Sequence, residues 1–468
     1  MSYIYVLVVS IFLYIRAKLF EEKNNRVITI APVRISAVPH YLEIFVGAQV
    51  TGSGGACNVL YNLNDELNIN DVTYKEEIFS LRVWLVKNLF NFLFKLLKFN
   101  VVTIKKIESK NLKDFANLDM SRHVNSTIRR LIYGGFIDSS KSELLKEQLL
   151  QDCLSIYNSS IECVSKSDLI FMSHGIYSLW GPIFDLSEFH KKKCFINGSL
   201  PYYGNGFHLV KGPFQINTPL KLTNYIIEDQ KNIAKLIIEN RLTHNNSDQK
   251  SFRVESSNEE EIYHLNKFKS KFKKTISIYP NCLWDGNIDE RDSIFNGLVA
   301  CINETISNLD DFGIIVRLHP AEATLWSNFQ PLKNEINHNK NVYIVASEAK
   351  VNSHDIANMS NTCIVYDGII AVELAYLGHR VIMPSKSTYS YCSGIISPKS
   401  LEEFWKVIKE NPNNNIPAKD KVAEWISNTY LNTRLSFSGY IQDGQPIKIN
   451  ILKIIFNVSS FLNFYKKL

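Results

Sequence analysis

The sequence predicts an α/β protein built as two Rossmann-like domains facing across a cleft. Three observations carry that reading. First, short apolar strand-like runs alternate with helix-length segments, as in RVITIAP (26–32), HYLEIFVGAQVTG (40–52) and ACNVLYNLND (56–65). A strand, a helix and a strand at that spacing form a βαβ unit, which implies a parallel sheet. Second, the alternation stops at a polar stretch, THNNSDQKSFRVESSNEEEI (243–262), and then resumes. Third, 468 residues suffice for two or three domains of ordinary size. The expected division is 1–25, 26–245, a linker at 246–265, 266–430, and a helical tail at 431–468.

Composition narrows the class. Hydrophobic residues make up 45% and charged residues 21%, which excludes a mainly disordered or collagen-like chain. Mean hydropathy is −0.09, and no run reaches the roughly 20 apolar residues of a spanning helix. The net charge of +6 suits an anionic small substrate or an anionic bilayer face. Nucleic acid is not an expected partner, because no sharp basic cluster and no zinc-finger or RNP pattern is present. The eight cysteines form no CxxC and read as buried reduced thiols; no metal is expected.

In chain order, the apolar run Tyr3–Tyr14 comes first, with Arg16 and Lys18 after it rather than before it, so it does not read as a signal peptide. Two readings stand for it: an interfacial anchor, or a buried first element of the fold. The βαβ unit follows. Residues 78–100 are amphipathic, with Lys87, Asn91, Lys95 and Lys98 on one helical face and an aromatic-rich remainder, which fits a core helix or a surface that dips into a membrane interface. Residues 114–165 read as helical, interrupted at Gly134-Gly135. SDLIFMSHGIYS (167–178) is a strand followed by a loop carrying His174 and Tyr177, and KKCFINGS (192–199) is another strand.

The second series has strands at 275–281, 312–320, 341–347, 363–368 and 379–385, and helices at 289–304, 368–378 and 400–410. The apolar tail carries Lys453, Lys466 and Lys467, and either packs back on the first domain or touches membrane. In such sheets ligands bind at the carboxyl ends of the strands, so the loops after the strands hold the candidate residues.

Three of those loops are rich in polar groups. In SIYPNCLWDGN (277–287), Asn281, Trp284 and Asp285 follow a strand; turn formation and function are both open for them. In VRLHPAE (316–322), Arg317 and His319 are alternate residues at a strand end, stopped by Pro320 and followed by Glu322. A guanidinium and an imidazole there suit phosphate oxygens. In CIVYDGIIAVELAYLGHRVIMPS (363–385), Asp367-Gly368 ends a strand and opens a helix, whose free amides form an anion site. Glu373 lies inside that helix among apolar neighbours, within reach of a ribose. GxGxxG and Walker motifs are absent, which removes the main support for dinucleotide oxidoreductases and P-loop enzymes.

WDG, then RLHPAE, then YDGIIAVELAYLGHRVIMP, in that order, resembles the nucleotide-sugar domain of GT-B glycosyltransferases. More narrowly, the set is similar to the bacterial capsule polysaccharide synthesis family, which includes Kdo transferases. HYLE after a strand and SHGIYSLWGP (173–182) are similar to that family's first-domain motifs, so the resemblance spans roughly 26–410. It implies a nucleotide-sugar donor as substrate, no cofactor and no metal in the protein. It also implies a polysaccharide or lipid-linked glycan acceptor and a cytoplasmic site of action at the inner membrane. Arg317 and His319 would hold the donor phosphate and Glu373 the ribose, with amides from Asp367-Gly368, while Asn281, Trp284 and Glu322 complete the donor side. His40, Glu43, His174 and Tyr177 would line the acceptor side, and Glu43, His40 and Asp285 are the candidates for the base. Two departures stand out. Val365 occupies the place of a second Glu found in many retaining enzymes, and the late "G-x-P-V-I" reads Gly378-His379-Arg380-Val381-Ile382. A teichoic-acid-type CDP-alditol phosphotransferase and a non-catalytic assembly component are the alternatives.

Overall fold

The computed structural model describes residues 2–20, 23, 25–32, 40–62, 81–108, 117–133, 139–200, 204–212, 216–217, 227–243, 256–286, 288, 292–322, 331–410, 419–431, 434–436, 441–442 and 445–446. The chain divides into two compact units, Met1–Leu222 with Thr433–Leu468, and Thr223–Asn432.

The first unit contains helices α1 (Ser2–Phe20), α2 (His40–Gly52), α3 (Leu81–Leu96), α4 (Ser121–Tyr133), α5 (Ser142–Lys166) and α6 (Gly181–Phe189). Its strands are β1 (Val27–Ala31), β2 (Ala56–Tyr61), β3 (Asn100–Thr103), β4 (Leu169–Met172), β5 (Lys193–Leu200), β6 (Gly204–Lys211) and β7 (Ile216–Asn217). They form a sheet in the order β6-β5-β4-β1-β2-β3, with β7 on β6. The five strands from β3 to β5 are parallel, in register at Val27↔Ala56 and Ile28↔Leu169. β6 returns antiparallel on β5.

Side chains alternate across this sheet with the period of two that a pleated strand imposes. Ile28, Ile30, Cys57, Val59 and Tyr61 enter one core with Phe45 of α2 and Phe94 of α3. Ala31, Leu60, Ile170 and Met172 enter the opposite core with Ile156 of α5 and Ile183 of α6. The apolar first segment is a helix, α1, and one of its faces is a buried element: Val6, Leu13 and Ala17 are at most 2% exposed. At Gly52 a Cβ would sit 2.4 Å from the Tyr14 carbonyl oxygen, so only glycine permits α2 to approach α1 this closely.

The second unit contains α7 (Ile227–Leu242), α8 (Glu259–Lys269), α9 (Leu298–Asn308), α10 (Pro331–Glu335), α11 (Ser353–Asn358), α12 (Ile370–Leu377), α13 (Leu401–Lys409) and α14 (Lys419–Ile426). Its strands are β8 (Lys274–Tyr279), β9 (Phe312–Arg317), β10 (Val342–Val345), β11 (Thr362–Val365) and β12 (Val381–Ile382), all parallel, in the order β10-β9-β8-β11-β12. Both sheets therefore run third-second-first-fourth-fifth, and chain direction switches sides between the first and fourth strands of each.

Several boundaries differ from the sequence expectation. α7 was assigned to the first half but belongs with the second unit, and α8 occupies part of the expected linker. The helix expected over 289–304 starts only at Leu298. Residues before it are used otherwise: Ser293 bridges Ser385, and Ile294 N donates to Pro384 O at 3.1 Å. β3, β6 and β7 are not foreseen; β3 and β7 are only 4 and 2 residues long, and β6 opens on Gly204-Asn205-Gly206, which carries no apolar side chain. The described part of the expected helical tail is extended instead: β13 (Arg434–Ser436) pairs with β6, and β14 (Ile441–Gln442) pairs with β15 (Gln445–Pro446). The remainder of that tail, 447–468, lies outside the described residues, as do Glu21, Glu22 and most of the polar stretch at 243–262.

Candidate functional site

A pocket of about 250 Å³ opens at the switch point of the second sheet. The loops after β8, β9, β10 and β11 build it, which is where parallel sheets of this order bind ligands. Tyr279, Pro280 and Asn281 come from the end of β8, and Arg317, His319 and Pro320 from the end of β9. Val351, Asn352, Ser353 and His354 lead into α11, and Asp367, Gly368, Ile369 and Ile370 lead into α12. Glu373 of α12 and Arg241 of α7 close it.

Arg317 is 2% exposed and spends its guanidinium on the chain. Nη1 donates to Ala346 O at 2.5 Å, and Nη2 donates to Ala349 O at 3.3 Å and Val351 O at 3.4 Å. It thereby fixes the loop between β10 and α11 while its charge remains beside the pocket. Burial lowers its pKa to about 10, so it stays protonated at neutral pH.

His319 Nδ1 accepts from Ala321 N at 3.1 Å. That bond places the proton of the neutral ring on Nε2, a donor at the pocket wall. Burial holds the imidazole pKa below its usual value, Asp285 opposes the shift, and Arg317 adds to it. Asp285 accepts from Asn281 Nδ2 at 3.3 Å. Glu322 is fully buried, and neither carboxylate oxygen has a hydrogen-bond partner among the described residues. Burial first, and Asp285 second, push its pKa up to about 7. Trp284 is buried at 3% exposure and does not line the pocket.

At the end of β11, Gly368 has φ of +135°, a conformation open to glycine and strained for other residues. It turns the chain into α12, so that the first amides of that helix open on the pocket. Asp367 is 8% exposed beside it. Glu373 is engaged on both oxygens: Arg241 Nε donates to Oε1, and His354 Nε2 lies 3.1 Å from Oε2. A ribose contact by Glu373 thus competes with an ion pair already in place.

The sequence reading gathered Asn281, Arg317, His319, Asp367, Gly368 and Glu373, and the fold brings all six to this pocket. It missed Arg241, which lies 132 residues from Glu373 and arrives only through the packing of α7. It also missed His354, although Asn352 before it caps α11 by accepting from His354 N, a signal visible as N-S-H-D.

The remaining candidates lie in the first unit. His40 opens α2, and its side chain lies outside the described residues. Glu43 is fully buried and accepts from Ser173 Oγ at 2.7 Å. His174 is exposed after β4, with ring contacts to Tyr177 at 5.8 Å and Trp180 at 5.2 Å. All eight cysteines are buried thiols outside any disulfide. Among the described residues no cluster of three or more His, Cys, Asp or Glu is placed to hold a metal ion.

No family model matches the chain. No curated protein matches it either. Among solved structures, it is similar to the beta Kdo 2,4 transferase of KpsC from Thermosulfurimonas dismutans, at 10% identity and a TM-score of 0.39, over 64% of this chain and 87% of that one. The beta Kdo 2,7 transferase of the same KpsC gives 12% identity and a TM-score of 0.32, over 62% and 84%. A UDP-GlcNAc 2-epimerase from Neisseria meningitidis, bound to UDP-GlcNAc, gives 12% and 0.25, over 86% and 99%.

Proposed function

We propose that the protein is a glycosyltransferase of bacterial surface polysaccharide synthesis, with the pocket of the second unit as its nucleotide-sugar site. One observation carries the reading: the RLHP loop, the Asp367-Gly368 turn and Glu373, which resemble a donor site in sequence order, line a single pocket at the sheet's switch point. The sequence resemblance supplies the substrate class, and the chemistry of the lining agrees with it.

On this reading the bond between the sugar's anomeric carbon and the phosphate oxygen breaks as the acceptor oxygen forms a new one. Negative charge grows on the departing nucleotide phosphate. His319 Nε2–H, the Arg317 charge and the first amides of α12 are preorganised donors for it. The acceptor hydroxyl gives its proton to a base, for which Asp285 in the second unit and Glu43 and His40 in the first remain the candidates. Asp285 also holds Asn281, and its carboxylate acts electrostatically on His319 and Glu322.

Calorimetric titration with CMP-, CDP-, UDP- and GDP-linked donors tests this. One nucleotide class is expected to bind, and His319→Ala is expected to weaken it by about ten-fold or more, the worth of a charge-assisted hydrogen bond. Arg317→Lys is the better second variant, because Arg317→Ala also releases three backbone carbonyls. Binding of no donor class, with or without a glycan acceptor, would remove the proposal. Release of CMP from CDP-glycerol with transfer of the glycerol phosphate would replace it with the phosphotransferase.

A further inference from the structure

α1 is apolar over most of its surface, yet only one face is covered. Helices of that composition belong in a core or against lipid. Val6, Val9, Leu13 and Ala17 are buried in the first unit, whereas Val8, Ile15 and Leu19 are 53%, 49% and 66% exposed. Those three fall on one stripe, spaced seven and four, with Phe12 half-buried between them. α3 repeats the pattern. Phe90, Leu93, Phe94 and Leu97 at its C-terminal end enter the core, while Phe92 at 61% and Leu96 at 45% face outward one turn apart.

Both helices pack into the same hydrophobic core, on the sheet face that carries α2. Successive parallel strands β1, β2 and β3 with right-handed crossovers place α2 and α3 on that one face, and α1 lies on α2. The outward stripes of α1 and α3 therefore belong to one side of the first unit.

The charged side chains within the two helices have a single sign. α1 and α3 together contain Arg16, Lys18, Arg82, Lys87 and Lys95, and no aspartate or glutamate. Lys18, Lys95 and Lys98 are exposed. The nearest acids in sequence lie outside the helices, Glu21 and Glu22 directly after α1 and Glu76 and Glu77 before α3. An isologous contact between two copies would set these cations against each other with no acid in either helix to pair them. A surface of anionic headgroups pairs the exposed Lys18, Lys95 and Lys98, while apolar side chains enter the acyl boundary and lysine stems reach back to the phosphates.

We infer that the outward faces of α1 and α3 form a docking surface for an anionic lipid bilayer, on which the protein rests without crossing it. Among the described residues no helix is long and apolar enough to span a membrane, so attachment is interfacial. The inference does not depend on the donor chemistry proposed above.

The test is co-sedimentation of the full chain with vesicles of phosphatidylcholine alone, or of phosphatidylcholine with one quarter phosphatidylglycerol. The chain is expected to pellet with the anionic vesicles, less so as salt is raised, and weakly with the neutral ones. The double variant Leu19→Glu/Phe92→Glu alters two outward side chains, so its thermal midpoint should match the wild type. Its partitioning is expected to fall on the order of ten-fold or more. The triple variant Lys18→Gln/Lys95→Gln/Lys98→Gln should lose the preference for anionic vesicles. Equal pelleting of wild type and double variant overturns the inference, as does equal binding to both vesicle types. Failure of the wild type to bind anionic vesicles overturns it too, and a dimer broken by the double variant would then assign the face to self-association.

Discussion

The two sheets share one strand order and differ at the place where that order makes a crevice. In the second unit the ends of β8 and β11 diverge around a pocket lined by Arg241, Arg317, His319, His354, Asp367 and Glu373. In the first unit the corresponding ends, of β1 and β4, are tied down. Trp180 Nε1 donates to Ala31 O at 3.1 Å, and Ser173 Oγ donates to the buried Glu43. Strand order sets where a crevice lies, and the described side chains at its rim differ between the units. The consequence is thermodynamic. The second unit keeps charges beside its crevice only by pairing them or spending them on backbone, so the site and the stability of that unit are coupled.

The largest effect expected from this coupling is at the buried ion pair. Glu373→Ala leaves Arg241 charged and without its carboxylate at 9% side-chain exposure. Loss of about 3–5 kcal/mol of unfolding free energy is expected, from the cost of stranding one partner of a buried pair. Urea unfolding measures it, and Arg241→Met/Glu373→Met should recover most of the loss. If the double variant is no better than the single, the pair is not what holds α7 on α12.

Next comes Arg317. Replacing it by alanine frees the carbonyls of Ala346, Ala349 and Val351. A loss of about 2–3 kcal/mol follows from leaving buried acceptors without donors. Because the same loop carries His354, nucleotide affinity should fall with it. Arg317→Lys should recover charge and affinity in part, since an ammonium cannot reach three carbonyls in the same plane.

These two residues also separate what the sequence discloses from what it conceals. Arg317 and His319 are legible because a strand end fixes both by local geometry, and Pro320 marks where the strand stops. The Asp367-Gly368 turn is legible because glycine before an apolar helix signals a change of direction. Glu373 was legible as a buried acid among apolar neighbours, but its partner was not. Arg241 sits in a helix whose own pattern says nothing of α12, and only long-range packing joins them. The same limit explains the α9 boundary, where pairing of Ser293 with Ser385 overrides local helix propensity. It also explains α1, whose composition left burial and interface open because one face of the helix is buried and the other exposed.

Glu322 gives a smaller, pH-dependent effect. Its folded pKa of about 7 lies above the value of 4.5 for a free glutamate. The protonated form is therefore the one the fold favours. Its contribution is fully present below pH 4.5 and is lost as pH rises through about 7. Glu322→Gln should remove that loss, so stability between pH 5 and 8 falls less in the variant, by on the order of 2 kcal/mol. Thermal midpoints across that range decide it, and parallel curves for the two proteins would place the proton elsewhere.

The smallest stability effect is expected at His174, an exposed candidate of the first unit after β4. Its ring lies against Trp180 and Tyr177 without filling a core, so His174→Ala should change unfolding free energy by no more than about 0.5 kcal/mol. Donor affinity should also be unchanged, because among the described residues those lining the donor pocket all belong to the second unit. If the first unit receives the acceptor, turnover should nevertheless drop, with the loss in KM for the acceptor if His174 binds it and in kcat if it moves a proton. A silent variant in all three measurements would remove His174 from the acceptor side and leave His40 and Glu43 as the first unit's candidates.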